Sequence, residues 1–208
     1  MDNVFCCHPP LVRHKLTTLR DVATEPKRFH ELIREISMLP AYEATADLAL
    51  EPTEVQTPLG RAPEALLRER IGLVPILYAG LGMVDGIWEM MPGAKVWHIG
   101  LYRDEQILRS VQYSNKLPVD PTVQVRLVLD PMLAKKGSAV AAVDIPKRWG
   151  AQRIRFTGFI AAPEGLRALQ HARPDFPVHV AAIDSHLNAH GYIVLGLGDA
   201  GGRQFGTG

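Results

Sequence analysis

Five apolar segments recur through the second part of this 208-residue chain, and helical patterns separate several of them. Each segment has the length and composition of a buried β-strand; they are residues 71–77, 95–101, 126–129, 153–160 and 178–183. Helical patterns lie near residues 138–149 and 163–171. Continuous apolar strands that alternate with helices are typical of parallel sheets covered on both faces. The sequence therefore predicts an α/β fold, with a mostly parallel sheet flanked by helices.

The first third of the chain has a different pattern. Two amphipathic helices are predicted, over residues 10–20 and 25–39, because apolar side chains recur there at helical spacing. Thr24 is the predicted N-cap of the second helix, and Pro40 is predicted to end it. Residues 51–63 hold four prolines and glycines around a short alternating segment, which predicts a hairpin arm.

Length and composition narrow the class of protein. A chain of 208 residues suits one domain, residues 1–208, with a full core. A net charge of +1 gives no electrostatic reason to expect a nucleic-acid partner. No signal segment is evident, and the longest apolar run, 71–84, is too short to span a membrane. Cys6 and Cys7 are adjacent, which indicates two reduced thiols in a cytoplasmic protein.

The segment from Val125 to Ser138 carries the strongest local signal for a binding site. A buried strand ends at Asp130, a short loop follows, and Ser138 is placed to open a helix. Backbone N–H groups and a helix dipole converge in such a loop, which suits a phosphate, and Asp130 is positioned for a ribose hydroxyl or a cation. An ordinary strand-to-helix connection has the same pattern, so the pattern alone leaves both interpretations open.

Two glycine-bearing segments add to this signal. The loop 78–83 follows the first buried strand, and its glycines would let the backbone approach an anion closely. Residues 196–203 hold four glycines and suit either a ligand-wrapping segment or a frayed tail. Ligands of such sheets bind beyond the carboxyl ends of the strands, where both segments are expected to lie. His179, His186 and His190 lack metal-ligand spacing, so no metal-binding set of side chains is predicted.

Ten segments resemble, in order, the signatures of the uracil phosphoribosyltransferase family over essentially the whole chain. Among them are Asp130-Pro131-Met132-Leu133-Ala134 and Gly198-Asp199-Ala200-Gly201. The complete set is residues 8–9, 11–16, 42–48, 74–77, 79–83, 115–118, 130–134, 162–165, 190–193 and 196–201.

The resemblance implies a type I phosphoribosyltransferase fold. Its parts would be N-terminal helices (1–50), a β-hairpin arm (51–63), a core (71–183) and a C-terminal hood (184–208) that binds the base. The implied reaction, a step of pyrimidine salvage, joins uracil to phosphoribosyl diphosphate (PRPP) and gives UMP and diphosphate. Mg²⁺ would assist through the substrate diphosphate, and the protein would be a homodimer or a higher homo-oligomer.

The resemblance also assigns residues to roles. Arg103, Asp130 and Asp199 are the implied catalytic residues: Arg103 contacts the diphosphate, Asp130 holds ribose hydroxyls and Asp199 lies near the metal. The implied PRPP-binding residues are these three with Pro131, Met132, Leu133, Ala134, Lys135, Lys136, Gly137 and Ser138. The implied uracil-binding residues are Ile193, Gly198, Asp199 and Ala200.

The chain departs from the family pattern at positions that matter chemically. Tyr78 stands where the family has an arginine, and Lys135 and Lys136 stand where it has threonine and glycine. Leu195 replaces a proline. One interpretation is that the two ammonium groups take over from the arginine, or even from Mg²⁺. The other is that the ancestral reaction is lost, leaving a nucleobase- or nucleotide-binding regulatory protein or an enzyme repurposed for another substrate.

Overall fold

The computed structural model describes residues 3–7, 9–103, 110–115, 122–134, 140 and 153–207. Within these residues nine strands form one sheet. They are β1 (Val4–Cys6), β4 (Ile71–Leu77), β5 (Lys95–Val96), β6 (Ile99–Arg103), β7 (Ser110–Asn115), β8 (Val125–Leu129), β9 (Met132–Leu133), β10 (Arg153–Ala161) and β11 (Val178–Ile183).

The sheet is mostly parallel, as predicted. Its order is β1-β11-β10-β8-β4-β6-β7, with β5 beside β4 and β9 beside β10. Only the pair β6–β7 is antiparallel among the strand pairs described in this sheet. Strands β4 and β8 lie at its centre, where six of the seven β4 residues and all five β8 residues are buried. This explains their continuous apolar sequence, since both faces of these strands are covered.

Helices pack against both faces of the sheet. One apolar cluster joins α1 (Pro10–Arg20), α2 (Pro26–Glu43) and α3 (Leu81–Met90) to one face. A second cluster covers the opposite face with residues of α4 (Pro163–Ala172) and with Phe176. A short helix, α5 (Ala200–Phe205), lies in the C-terminal segment and contacts α2. None of the helices in the described ranges is both long and apolar enough to cross a bilayer.

An antiparallel hairpin occupies the region predicted as an arm. It consists of β2 (Leu50–Thr57) and β3 (Gly60–Leu67), which pair with each other in a sheet of their own. The hairpin is longer than the predicted 51–63, because regular pairing continues to Leu50 and Leu67. Several of its apolar side chains are exposed, which bears on self-association below.

Two predictions about the second helix are wrong. Helix α2 continues through Pro40 to Glu43, because Pro40 and Ala41 are buried and this packing offsets the cost of an internal proline. Thr24 does not cap the helix: Glu25 is the N-cap residue, and the Thr24 hydroxyl donates a hydrogen bond to the carbonyl of Thr18. Pro26 occupies the first turn, where its missing N–H costs nothing.

The segment predicted as one strand over 95–101 consists of two strands, β5 and β6. Strand β5 pairs with the start of β4, and β6 pairs with its end. Trp97 and His98 lie between them, and the N–H of Trp97 still donates to the carbonyl of Leu73. The helix predicted near 138–149 lies outside the described residues, apart from Val140.

Candidate active site

The loop 78–80 leaves the carboxyl end of β4 and packs directly on the end of β8. Gly80 makes this possible, because a Cβ at this position would lie 2.3 Å from the carbonyl oxygen of Leu129. The loop is therefore held against the residue that precedes Asp130. Tyr78 is 67% exposed and lies on this loop at the carboxyl edge of the sheet, whereas six of the seven residues of β4, which precedes it, are buried.

Asp130 follows β8, and the backbone after it turns at once to pair with β10. One carboxylate oxygen of Asp130 accepts a hydrogen bond from the N–H of Met132, at 3.3 Å. The carbonyl of Pro131 accepts from Phe159 and Ile160, and β9 continues the pairing. The structure thus places Asp130 at the carboxyl edge of the sheet, as the sequence predicted, on a loop whose start is fixed by β10.

The environment of Asp130 disfavours its charged form. Desolvation by burial raises the pKa of this carboxyl from its ordinary value of 3.8 to about 7, and the hydrogen bond from Met132 opposes the rise. A carboxyl group with a pKa near neutrality at the end of a central strand is a candidate for a functional group. A cation or a hydroxyl-bearing ligand that contacts it would favour ionisation.

The hood presents main-chain groups through an unusual backbone path. Asp199 is the N-cap of α5, and its Oδ1 accepts a hydrogen bond from the N–H of Gly201 at 3.0 Å. Gly198 has φ of +70°, a conformation that favours glycine. Ile193 and Ala200 are buried, so their side chains fix the segment while Gly198 and Asp199 remain exposed.

The hood and the 78–80 loop meet around one cavity. The side-chain amide of Gln204, on α5, donates hydrogen bonds to the carbonyls of Tyr78 and Ala79, at 3.4 and 3.1 Å. The cavity has a volume of about 500 Å³, which suits a small ligand. Its lining residues are Tyr78, Ala79, Asp199, Gly201, Gly202, Phe205 and Thr207. The glycine-rich segment 196–203 is therefore held near the loop 78–80 and is not a frayed tail.

The structure does not describe every predicted site residue. Lys135, Lys136, Gly137 and Ser138 lie outside the described residues. Arg103 is the last residue of β6, and its side chain also lies outside the description. Within the predicted PRPP loop, Pro131 and Leu133 are buried, whereas Met132 and Ala134 are partly exposed. Tyr78 and Asp199 are the predicted site residues that the structure brings to one cavity.

The sequence-based list of site residues omitted part of the cavity wall. Phe205 and Thr207 line the cavity, and Gln204 ties the hood to the loop 78–80. A large aromatic side chain within a glycine-rich tail was the available signal for Phe205, since glycine alone supplies no apolar surface.

Leu195 adopts a backbone conformation that the family's usual proline cannot reach. Its φ is +74°, whereas the ring of proline locks φ near −65°. A left-handed conformation at a residue other than glycine costs roughly 1–3 kcal/mol. The backbone between Ile193 and Leu197 therefore contains a strained residue.

The side chains around the cavity suit a metal ion that binds together with a substrate. They suit a permanently bound metal ion less well. No cluster of three or more histidine, cysteine, aspartate or glutamate side chains is placed to hold an ion, as far as the described ranges extend. The exposed carboxylate of Asp199 lines the cavity. Mg²⁺ commonly binds through one or two carboxylates together with substrate phosphates, and Asp199 could supply such a contact.

Comparison with solved structures identifies the fold. A protein of Aquifex aeolicus superposes with a TM-score of 0.91 at 34% identity, covering 97% of both chains. A hypoxanthine-guanine phosphoribosyltransferase of Bacillus anthracis has a TM-score of 0.52 at 10% identity, covering 76% of this chain and 80% of that chain. The second likeness bears on the fold alone, which is the type I phosphoribosyltransferase fold.

Comparison of sequences identifies the family. The family model described as uracil phosphoribosyltransferase matches residues 6–207. A protein named uracil phosphoribosyltransferase from Roseiflexus castenholzii is 60% identical over 208 residues, and one from Symbiobacterium thermophilum is 54% identical over the same length. Each alignment covers 100% of both chains. The chain therefore belongs to the uracil phosphoribosyltransferase family.

Proposed function

We propose that this protein transfers a phosphoribosyl group from PRPP to uracil, giving UMP and diphosphate. One observation carries the proposal: the loop 78–80 contacts both the end of β8 next to Asp130 and the hood helix α5. A nucleobase on the hood and a ribose at Asp130 would then share one continuous site. The relatives that bear the name of this activity are similar over the full chain, which supports the same assignment.

The proposed site works chiefly by positioning its two substrates. Main-chain groups of Ile193, Gly198 and Ala200 would hold uracil, and Asp130 would hold the ribose hydroxyls. Bringing the base nitrogen and the ribose carbon together removes much of the entropic barrier, so no side-chain nucleophile is required. The bond from the ribose carbon to diphosphate breaks, and a bond to the base nitrogen forms. The proton on that nitrogen is released.

Mg²⁺ would neutralise charge on the departing diphosphate when it is bound with the substrate. Asp199 would contact it from the hood side of the cavity, and Arg103 would approach the diphosphate from the end of β6. Both assignments rest on the family resemblance together with the position of Asp199 in the cavity wall.

Turnover is the test of this proposal. Isotope-labelled uracil, PRPP and Mg²⁺ are incubated with the folded protein, and labelled UMP is measured by mass spectrometry. We expect UMP that accumulates with time and disappears when PRPP is omitted. Folded protein that forms no UMP at millimolar substrates would reject the transferase assignment.

Tyr78 favours a second candidate, a nucleobase- or nucleotide-binding protein that does not turn over. Its phenol is exposed in the cavity where the family has an arginine, so a bidentate, charge-assisted contact to diphosphate is absent at this position. Calorimetry with uracil and with UMP tests this candidate. Binding of either ligand without UMP synthesis supports it, and binding of neither excludes it.

We also propose that the protein is a homodimer or a higher homo-oligomer. The hairpin β2–β3 exposes Leu50 and Leu67, which are cross-strand partners on one face, and an isolated two-stranded hairpin is at best marginally stable in water. A second copy would cover this apolar surface. Light scattering tests the proposal: Leu67→Asp is expected to shift the protein toward monomer, whereas Val22→Asp, at a site 93% exposed, is expected not to. Wild-type protein that is monomeric at high concentration would exclude it.

A further inference from the structure

The carboxyl end of α1 contacts the hood through two arginines that are far apart in sequence. Arg20 is the last residue of α1, and Arg203 lies on α5 within the hood. Each guanidinium binds one main-chain carbonyl of the segment 195–197 and one further group outside that segment. We call Arg20, Asp184 and Arg203 the hood clamp.

Arg20 links the hood to the central sheet. Its Nη1 and Nη2 donate to Oδ2 and Oδ1 of Asp184, at 2.8 and 2.6 Å, and Nη1 also donates to the carbonyl of Leu195 at 2.7 Å. The Asp184 side chain is 5% exposed, and its backbone N–H donates to the carbonyl of Ala161 at the end of β10. Arg20 thus holds Leu195 against a carboxylate that is itself fixed to the sheet.

Arg203 fixes the carbonyl of Leu197, two residues after Leu195. Its Nη1 donates to the carbonyl of Leu197 at 3.1 Å, and its Nη2 donates to the carbonyl of Asp21, the residue after α1. The guanidinium carbon lies 4.4 Å from the centroid of the Phe29 ring, which adds a cation–π contact. The two arginines therefore hold carbonyls 195 and 197 from the same end of α1.

We infer that the hood clamp positions the main chain of residues 193–200 for the base, and that Arg20 and Arg203 are positioning residues for uracil. The inference rests on the proposed function, since the hood is the proposed base site. Carbonyls 195 and 197 are bound to the clamp, so these two groups cannot turn toward a base. The backbone between Ile193 and Gly198 is thereby fixed in a single arrangement, even though Leu195 is held at a φ of +74°.

The two arginines need different test variants. A guanidinium presents several N–H donors in one rigid plane, so it bridges two acceptors at once. In Arg203 the two acceptors are bound by different nitrogens, Nη1 and Nη2, so Arg203→Lys keeps the charge and loses the bridge. In Arg20 the single nitrogen Nη1 contacts both the carbonyl of Leu195 and the carboxylate of Asp184, and a lysine ammonium, with three donors, could keep both contacts. Arg20→Met, which removes every donor, is therefore the informative variant at this position.

Steady-state kinetics with both substrates tests the inference. We expect Arg20→Met and Arg203→Lys each to raise the KM for uracil at least tenfold, equal to about 1.4 kcal/mol. The KM for PRPP and kcat at saturating uracil are expected to stay within about threefold, because each substitution leaves the loop after Asp130 intact. Arg13→Met, at an exposed arginine on the same helix, is the matched control and is expected to change neither KM.

Hydrogen exchange provides a readout that is independent of activity. Amides of residues 193–200 are expected to exchange at least tenfold faster in Arg20→Met and in Arg203→Lys than in Arg13→Met. A uracil KM within twofold of wild type overturns the inference, and so does an equal rise in both KM values. If wild-type protein forms no UMP, the proposed function fails, and exchange alone decides: faster exchange at 193–200 supports the clamp, and unchanged exchange refutes it.

Discussion

Replacing Asp130 with asparagine should make the protein more stable at neutral pH, by an amount that depends on pH. The pKa of the Asp130 carboxyl is raised from 3.8 to about 7, because burial disfavours the carboxylate. The difference is roughly three units, and each unit corresponds to about 1.4 kcal/mol. Ionised Asp130 is therefore expected to cost the folded state about 2–4 kcal/mol, and the lower part of this range allows for the partial exposure of the residue.

The direction of the pH dependence follows from proton uptake. Well below pH 3.8 the carboxyl is protonated in the folded and unfolded states, so its ionisation contributes nothing. Between pH 4 and about 7 the folded state retains the proton that the unfolded state loses, so wild-type stability falls as pH rises. Above pH 7 both states are ionised and the cost is constant. Asparagine has no ionisable proton in this range, so the variant does not show this loss of stability as pH rises.

Chemical denaturation from pH 4 to pH 8 measures the effect. The free energy of unfolding of Asp130→Asn minus that of wild type is expected to grow by about 2–4 kcal/mol between pH 4 and about pH 7 and to level off towards pH 8. Glu51→Gln, at an exposed carboxylate on β2, controls for the removal of one negative charge. A difference that is constant from pH 4 to pH 8 would refute the argument that burial of Asp130 controls its ionisation.

Three further substitutions test individual features of the site. Tyr78→Arg is expected to lower the KM for PRPP about tenfold by restoring charge-assisted bonds to diphosphate; an unchanged KM would show that this position does not reach the diphosphate. Leu195→Gly is expected to stabilise the protein by about 1 kcal/mol, because relief of the positive φ exceeds the added chain entropy, and to raise Tm by about 2–4 °C; a lower Tm would contradict this. Asp199→Ala should cost about 1 kcal/mol through loss of the helix cap and should abolish UMP formation, while Asp199→Asn should restore the stability without the activity; equal activity in both variants and wild type would remove Asp199 from the mechanism.

The strands of the core were predictable because burial on both faces leaves a continuous apolar sequence. The bounds of α1, β4 and β11 agree with the sequence prediction, and the bounds of β8 and β10 differ by one residue. The prediction failed at Pro40, because local rules for proline cannot include the burial of this residue against the body of the protein. Tertiary packing decided that helix boundary.

The positions of the candidate site residues were predictable where short motifs carry the information and unpredictable where distant residues meet. Asp130 follows β8 at the carboxyl edge of the sheet, and Asp199 lines the cavity beside the loop 78–80, whereas their roles in binding stay predictions. The contacts of Arg20 with Asp184 and of Arg203 with Asp21 join residues 164 and 182 positions apart, and no local sequence pattern predicts such contacts. The same holds for Gln204 and Tyr78, whose contact depends on how the tail folds back.

A crystal structure of this protein with UMP tests the central claim most directly. We expect a uracil ring against the main chain of residues 193–200, with ribose hydroxyls at Asp130 and the 5′-phosphate on the loop 131–138. UMP bound elsewhere, or a cavity between Tyr78 and Asp199 that stays empty at saturating UMP, would contradict it.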